Sequence, residues 1–293
     1  MNDSFVAAPR GHWRDYLEVS KPRVVALMMF TATVGMLLAT KGGVPWTVLL
    51  FGLSGIAMVA TSAAAINHLV DQRIDAVMAR TRRRPLPRGV LQSRDVLVYA
   101  IAMGTIGTLL LGRFTNATCA TLTLASSFGY AVVYTMYLKH ATPHHIVIGG
   151  AAGAAPPLLG WVAVTGHVDW GALALFLIVF AWTPPHFWAL AIHRRDDYAQ
   201  AGVPMLPVTH GVRHTTLEIL VYALILFAIA LVPAFIGMSG PLYFVVAVLA
   251  GGRFVWYAWR LCKGELRLAM PMFRYSITYL ALIFGALLID HYR

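Results

Sequence analysis

Charge is what this chain has least of. Only 12% of its 293 residues are Asp, Glu, Lys or Arg, against roughly 25% in an ordinary soluble domain. With 59% of residues hydrophobic, the apolar side chains exceed what a water-soluble core of this size would enclose, so lipid is the expected solvent. Cysteine is scarce as well. Cys119 and Cys262 stand far apart in apolar stretches and form no CxxC pair, which removes any signal for a thiolate zinc site or a disulfide framework. The apolar runs do not alternate with polar residues, so a membrane β-barrel is not expected. Residues 1–23 have no apolar core and contain Asp3, Asp15 and Glu18, unlike a cleavable signal peptide. They read as a polar cytoplasmic tail, and 24–293 as a single membrane domain.

What is present is a series of runs long enough to span. A helix crosses the hydrocarbon in roughly 20 residues, and nine stretches qualify: Val24–Thr40, Trp46–Ile66, Val96–Leu111 (the shortest), Ala117–Leu138, Ile146–Val164, Trp170–Ile192, Leu217–Met238, Pro241–Leu261 and Phe273–Ile289. The expected fold is an all-α bundle of nine transmembrane helices. Pro156-Pro157 and Pro184-Pro185 predict interruptions, which membrane helices tolerate when neighbours satisfy the freed carbonyls. The formal net charge of +11 would raise nucleic acid as a partner in a soluble protein. Here the basic residues lie between spans, so the lipid bilayer is the expected partner and nucleic acid is not. Of 23 basic residues, only Lys41, Arg113 and Arg293 fall on the other side of the bundle. The positive-inside rule then predicts a multi-pass protein of the inner (cytoplasmic) membrane, N-terminus cytoplasmic and C-terminus periplasmic.

The two long loops on the basic side echo each other. One carries Asp71, Asp75 and Pro85-Leu86-Pro87; the other carries Asp196, Asp197 and Pro204-Met205-Leu206-Pro207. Asp71 to Asp197 is 126 residues and Pro87 to Pro207 is 120, which suggests two four-helix halves followed by a ninth helix.

Chemistry concentrates in these loops. Asn67, Asp71 and Asp75 are spaced by four, and each such step rotates about 40° and rises about 6 Å along a helix. Their side chains therefore share one face. Acidic residues at the end of a membrane span are costly and tend to be functional. Carboxylate and amide oxygens suit Mg²⁺, which completes its shell with waters and substrate phosphates. Arg80, Arg82, Arg83, Arg84 and Arg88 follow directly, and Lys139 ends the fourth span. A diphosphate leaving group needs such cations. The arrangement matches ionisation of a prenyl diphosphate at the mouth of an apolar cavity. Solvated surface is the plainer alternative for the acids, and topology signalling for the arginines. His68 and His193 receive no role. His186 lies within the sixth span behind Pro184-Pro185. It is read either as a hydrogen-bond partner of a freed carbonyl or as a haem-contacting or proton-transferring residue.

At these residues the chain resembles the UbiA superfamily of intramembrane prenyltransferases. NHLVDQRIDAVMARTRRRPLPRG at 67–89 is similar to the first motif of its protohaem IX farnesyltransferase branch. So are YTMYLKHATPHHIVIGGAAGAAPPLLGW at 134–161, WTPPHFWALAI at 182–192 and DYAQAGVPMLPV at 197–208. The resemblance implies nine helices around a central cavity, and Mg²⁺ held by Asn67, Asp71, Asp75 and Asp197. It implies diphosphate contacts from Arg80, Arg84 and Lys139, and a place for His186 at the acceptor. Two positions depart from the superfamily pattern, where acids are common: His68 after Asn67, and His193 four residues before Asp197. The implied reaction joins farnesyl diphosphate to the 2-vinyl group of haem b (protohaem IX). Its product, haem o, serves terminal oxidases, with a haem A synthase or oxidase assembly factors downstream. The rivals are a UbiA-type enzyme with an aromatic acceptor, a transporter with broken-helix sites, and a non-catalytic haem-binding protein. The last has no use for the Asn67-Asp71-Asp75 face.

Overall fold

The computed structural model describes residues 12–78 and 81–293. Among them every regular element is helical. A short helix α1 (Trp13–Val19) turns by 60° into α2 (Pro22–Leu38). Then come α3 (Trp46–Val70), α4 (Gln72–Val77), α5 (Ser93–Phe114), and α6 (Ala117–Phe128), which continues as a π-helix over Gly129–Leu138. After the single turn α7 (Lys139–Ala141) follow α8 (His145–Thr165), α9 (Trp170–His193), α10 (Arg195–Gln200), α11 (Leu206–Thr209), α12 (Gly211–Phe235), α13 (Pro241–Cys262) and α14 (Ala269–His291). Eight helices among the described residues are long and apolar enough to cross a membrane, and the bent α1–α2 pair makes a ninth. The protein is a multi-span membrane protein, as its composition requires.

Packing divides into neighbourhoods that meet at α2, α8 and α9. The largest buried cluster joins α8 and α9 to α12, α13 and α14, with Trp188, Tyr243, Phe254 and Phe284 at its centre. A second joins α2, α3, α5, α6 and α8 through Met36, Ile56, Leu111, Cys119 and Leu159. The third, Val19, Ala65, Leu86, Leu91, Val96 and Ala100, ties α1 and the loop after α4 to α3 and α5. Lipid is as apolar as the helices, so close backbone approach replaces hydrophobic burial as the adhesive. The α2–α8 crossing illustrates this reciprocally: a Cβ on Gly35 would collide with the carbonyl of Pro157, and one on Gly160 with that of Ala32.

Two expectations change. Residues 13–19, inside the stretch read as a polar tail, form α1 and pack back on the bundle. The Tyr16 ring lies 5.2 Å from that of Tyr99, whose hydroxyl pairs with Ser20 Oγ at 2.8 Å. The double prolines do not interrupt their spans either, since both pairs lie inside continuous helices, α8 and α9. Proline's φ fits a helix, and its difficulty is the lost N–H and the orphaned carbonyl four residues earlier. For Pro156 that carbonyl is Ala152 O, and Ser126 Oγ on α6 donates to it at 3.4 Å.

Candidate active site at the end of the second span

α3 runs four residues beyond the predicted end of its apolar run, far enough to carry Asn67. The single residue Asp71 separates it from α4, yet helical hydrogen bonds continue across. Asp71 N–H donates to Asn67 O at 2.9 Å and Asp75 N–H to Asp71 O at 2.8 Å. Asn67, Asp71 and Asp75 therefore share one face as the spacing predicts, and all three are buried, the two aspartates at 3% exposure.

Each residue of this face has a cation, and each cation arrives from a different element. Lys139 Nζ, from α7 directly after the π-helix, lies 2.6 Å from Asp71 Oδ1. Arg84, from the loop after α4, puts Nη1 2.6 Å from Asp75 Oδ2. Lys21, at the bend between α1 and α2, donates from Nζ to Asn67 Oδ1 at 2.5 Å. The amide of Asn67 ties the set together, donating from Nδ2 to Asp71 Oδ2 at 2.9 Å and to Thr135 Oγ1 on the π-helix at 3.2 Å. A carboxylate buried without a partner is costly; Lys139 and Arg84 offset that cost at Asp71 and Asp75.

The remaining predicted residues are placed less centrally. Asp197, on α10, is half-buried and pairs with Arg194 at 3.4 Å. It lines a cleft of about 130 Å³ with His193, Arg194 and Asp196. Arg80 lies outside the described residues. Arg82 and Arg83 point to solvent, whereas Arg84 does not, so the structure separates residues that the run alone could not rank. His186 is 8% exposed. It is stacked between Trp182 (4.1 Å) and Phe273 (4.6 Å), and Nδ1 is bonded to Ser276 Oγ on α14 at 2.5 Å. Its partner is thus a hydroxyl from another helix rather than a carbonyl freed by Pro184 or Pro185. A larger apolar cleft of about 370 Å³ between α6, its π extension and α8 contains none of these residues.

Among the described residues no three His, Cys, Asp or Glu side chains are grouped to hold a metal ion by themselves. The oxygens of Asn67, Asp71 and Asp75 are nonetheless hard donors at one place. Mg²⁺ takes one or two carboxylates and draws its other ligands from water and phosphate, so the residues present fit that ion. Sequence reading missed Lys21, which fell within the polar tail of residues 1–23, and Thr135. The signal for Lys21 was available, since a lysine directly before the helix-starting Pro22 cannot extend into lipid.

The UbiA prenyltransferase family model matches residues 28–287. The chain belongs to this family. A relative from Pseudomonas putida (strain W619), "Protoheme IX farnesyltransferase 1", is 59% identical over 290 residues, 99% of this chain and 98% of its own. The "Protoheme IX farnesyltransferase" of Azotobacter vinelandii is 60% identical over 284 residues, 97% and 95% of the two chains. Among solved structures the fold matches a digeranylgeranylglyceryl phosphate synthase with TM-score 0.82 at 17% identity, covering 95% of this chain and 98% of that one. It also matches a UbiA homolog from Archaeoglobus fulgidus bound to GPP and Mg²⁺, with TM-score 0.68 at 16% identity over 93% and 99%. Structures this distant in sequence establish the family's fold; the full-length relatives at about 60% identity place the chain on one branch of it.

Proposed function

We propose that the protein transfers the farnesyl group of farnesyl diphosphate to the 2-vinyl group of protohaem IX, giving haem o. The observation that carries this reading is the pairing of Asp71 with Lys139 and Asp75 with Arg84 in a chain about 60% identical, end to end, to enzymes named for this reaction. An acid face and a basic face closed on each other have the charges needed to bind a metal diphosphate between them.

Asn67, Asp71, Asp75 and Asp197 would hold Mg²⁺, which neutralises the diphosphate and polarises its bond to the allylic carbon. Binding then exchanges partners. Arg84 and Lys139, released from the aspartates, turn to the phosphate oxygens, joined by Arg80. The C1–O bond of the farnesyl group breaks and its electron pair leaves with diphosphate, where these cations absorb the developing charge. The π electrons of the vinyl group form the new bond to C1. Water adds to the carbon left electron-deficient and loses a proton, completing a hydroxyethylfarnesyl group. His186 is our proposed acceptor-side residue. Its Nδ1 is held by Ser276, so iron ligation or proton transfer falls to Nε2, in the orientation that a bonded ring enforces.

The decisive experiment supplies the purified protein with farnesyl diphosphate, haem b and Mg²⁺ and identifies extracted pigments by mass. Haem o is expected; its absence, with product from hydroxybenzoate instead, would replace the acceptor. The same reading puts the basic loops on the cytoplasmic side of the inner membrane and the C-terminus in the periplasm, supported by the concentration of basic residues on one side of the bundle. A reporter fused after Arg293 that is active only in the periplasm checks this orientation.

A further inference from the structure

The acid face has three rungs and three cations, and two of those cations are already proposed diphosphate ligands. The third is held in the same manner. Lys21 bonds Asn67 as Lys139 pairs with Asp71 and Arg84 with Asp75. Its ammonium also lies 3.5 Å from the hydroxyl of Tyr130 on the π-helix. The backbone at this residue is unusual: with φ 51, Lys21 is the sole non-glycine in the left-handed region among the described residues. A bulky residue there is disfavoured, and such strain persists where the surroundings hold it and gathers at functional sites. A bend meant only to reorient α1 would be better served by glycine. Lysine stands there instead, and its side chain reaches the face at Asn67.

A second observation marks polar capacity beside it. His68, next to Asn67, is 2% exposed, and neither ring nitrogen has a hydrogen-bond partner among the described residues. Buried polar groups are normally satisfied. That imidazole stands one residue, about 100° of helix, from the residue that Lys21 holds, and leaves buried polar capacity beside the face for a further group.

We propose that Lys21 is a further diphosphate-binding residue, delivered by the bend between α1 and α2 and held on Asn67 until the diphosphate takes it. This rests on the prenyl-transfer reading above and extends it to the N-terminal elbow. Opening of the Lys21–Asn67 bond frees the amide oxygen of Asn67 in the same event that turns the ammonium to phosphate.

The test replaces Lys21 with residues that keep the elbow. Lys21→Gly and Lys21→Asn both suit a left-handed residue and remove the ammonium. Binding of inorganic diphosphate and of farnesyl thiodiphosphate with Mg²⁺ is measured by calorimetry on the detergent-solubilised full chain, beside the unliganded Tm and KM and kcat. Removing one charge-assisted bond predicts affinity weakened about ten-fold or more, with Tm unchanged or raised and haem affinity unchanged. Lys21→Arg should recover part of the loss. Diphosphate affinity within about two-fold of wild type in whichever of the two variants folds would overturn the proposal. Wild-type protein that binds no diphosphate would instead overturn the reading of the whole site.

Discussion

After Val70 and again after His193 the chain does the same thing: one residue outside the helix, then a helix of six residues opening with acids in its first turn. What differs is the surroundings. Asp71 and Asp75 are buried and paired at 2.6 Å with cations from elsewhere in the chain. α10 has no buried residue, and Asp197 pairs with its near neighbour Arg194 at 3.4 Å. Loop 67–91 is enclosed by α1, α3 and α5 through Leu86 and Leu91, whereas the start of loop 193–208 faces solvent. The same motif type thus yields a preassembled half-site in one loop and a solvated, adjustable half in the other. A buried ion pair adds little net stability, but removing one partner leaves a stranded charge. Substitutions in the first loop should therefore disturb folding and activity together, and those in the second activity alone.

The largest effect is expected at Asp71→Asn. Turnover should fall roughly a thousand-fold, since an amide cannot supply the anionic oxygen. Stability should also drop by about 2–3 kcal/mol, at or below the lower edge of the range for broken buried pairs because Lys139 keeps 15% of its side chain exposed. Thermal melts with haem o assays separate the two losses. Asp197→Asn should lower turnover roughly a hundred-fold while stability stays within about 0.5 kcal/mol; a melt shifted as far as that of Asp71→Asn would abolish the contrast between the loops. Arg84→Ala should cost about ten- to a hundred-fold in kcat/KM, and Arg84→Lys less, because charge remains when the forked geometry is lost. The smallest effects belong to Arg82→Ala and Arg83→Ala, whose exposed side chains should leave kcat/KM within about two-fold. Three equal losses at 82, 83 and 84 would make the run a topology signal only.

Hydropathy located all nine spans, because lipid imposes a minimum length that composition displays directly. The shared face of Asn67, Asp71 and Asp75 was legible for a similar reason: helical periodicity relates residues close in sequence. What escaped reading depends on distant partners. α1 is seven residues long, too short to carry a strong periodic signal, and is held by Tyr99 from α5. The prolines of α8 suggested a break because the hydroxyl that reaches Ala152 O comes from Ser126, on another helix. Arg84 could not be told from Arg82 and Arg83 until the fold buried one and exposed two. Lys21 fell within the polar tail until Asn67, 46 positions away, proved to be its partner.

The π-helix of Gly129–Leu138 sets the rotational phase of everything after it. At about 100° per residue, Tyr130 and Lys139, nine positions apart, would project from opposite sides of an α-helix. The wider i→i+5 turn advances less per residue. Tyr130 therefore meets Lys21, Thr135 meets Asn67, and Lys139, which follows the π-helix without a break, meets Asp71, with the Tyr130 and Tyr134 rings stacked at 5.4 Å. Loss of one residue from this stretch would leave an apolar segment still able to cross the bilayer, yet it would rotate the basic end of the span away from the acids. Over evolutionary time this segment should accept exchange of its side chains far more readily than any insertion or deletion.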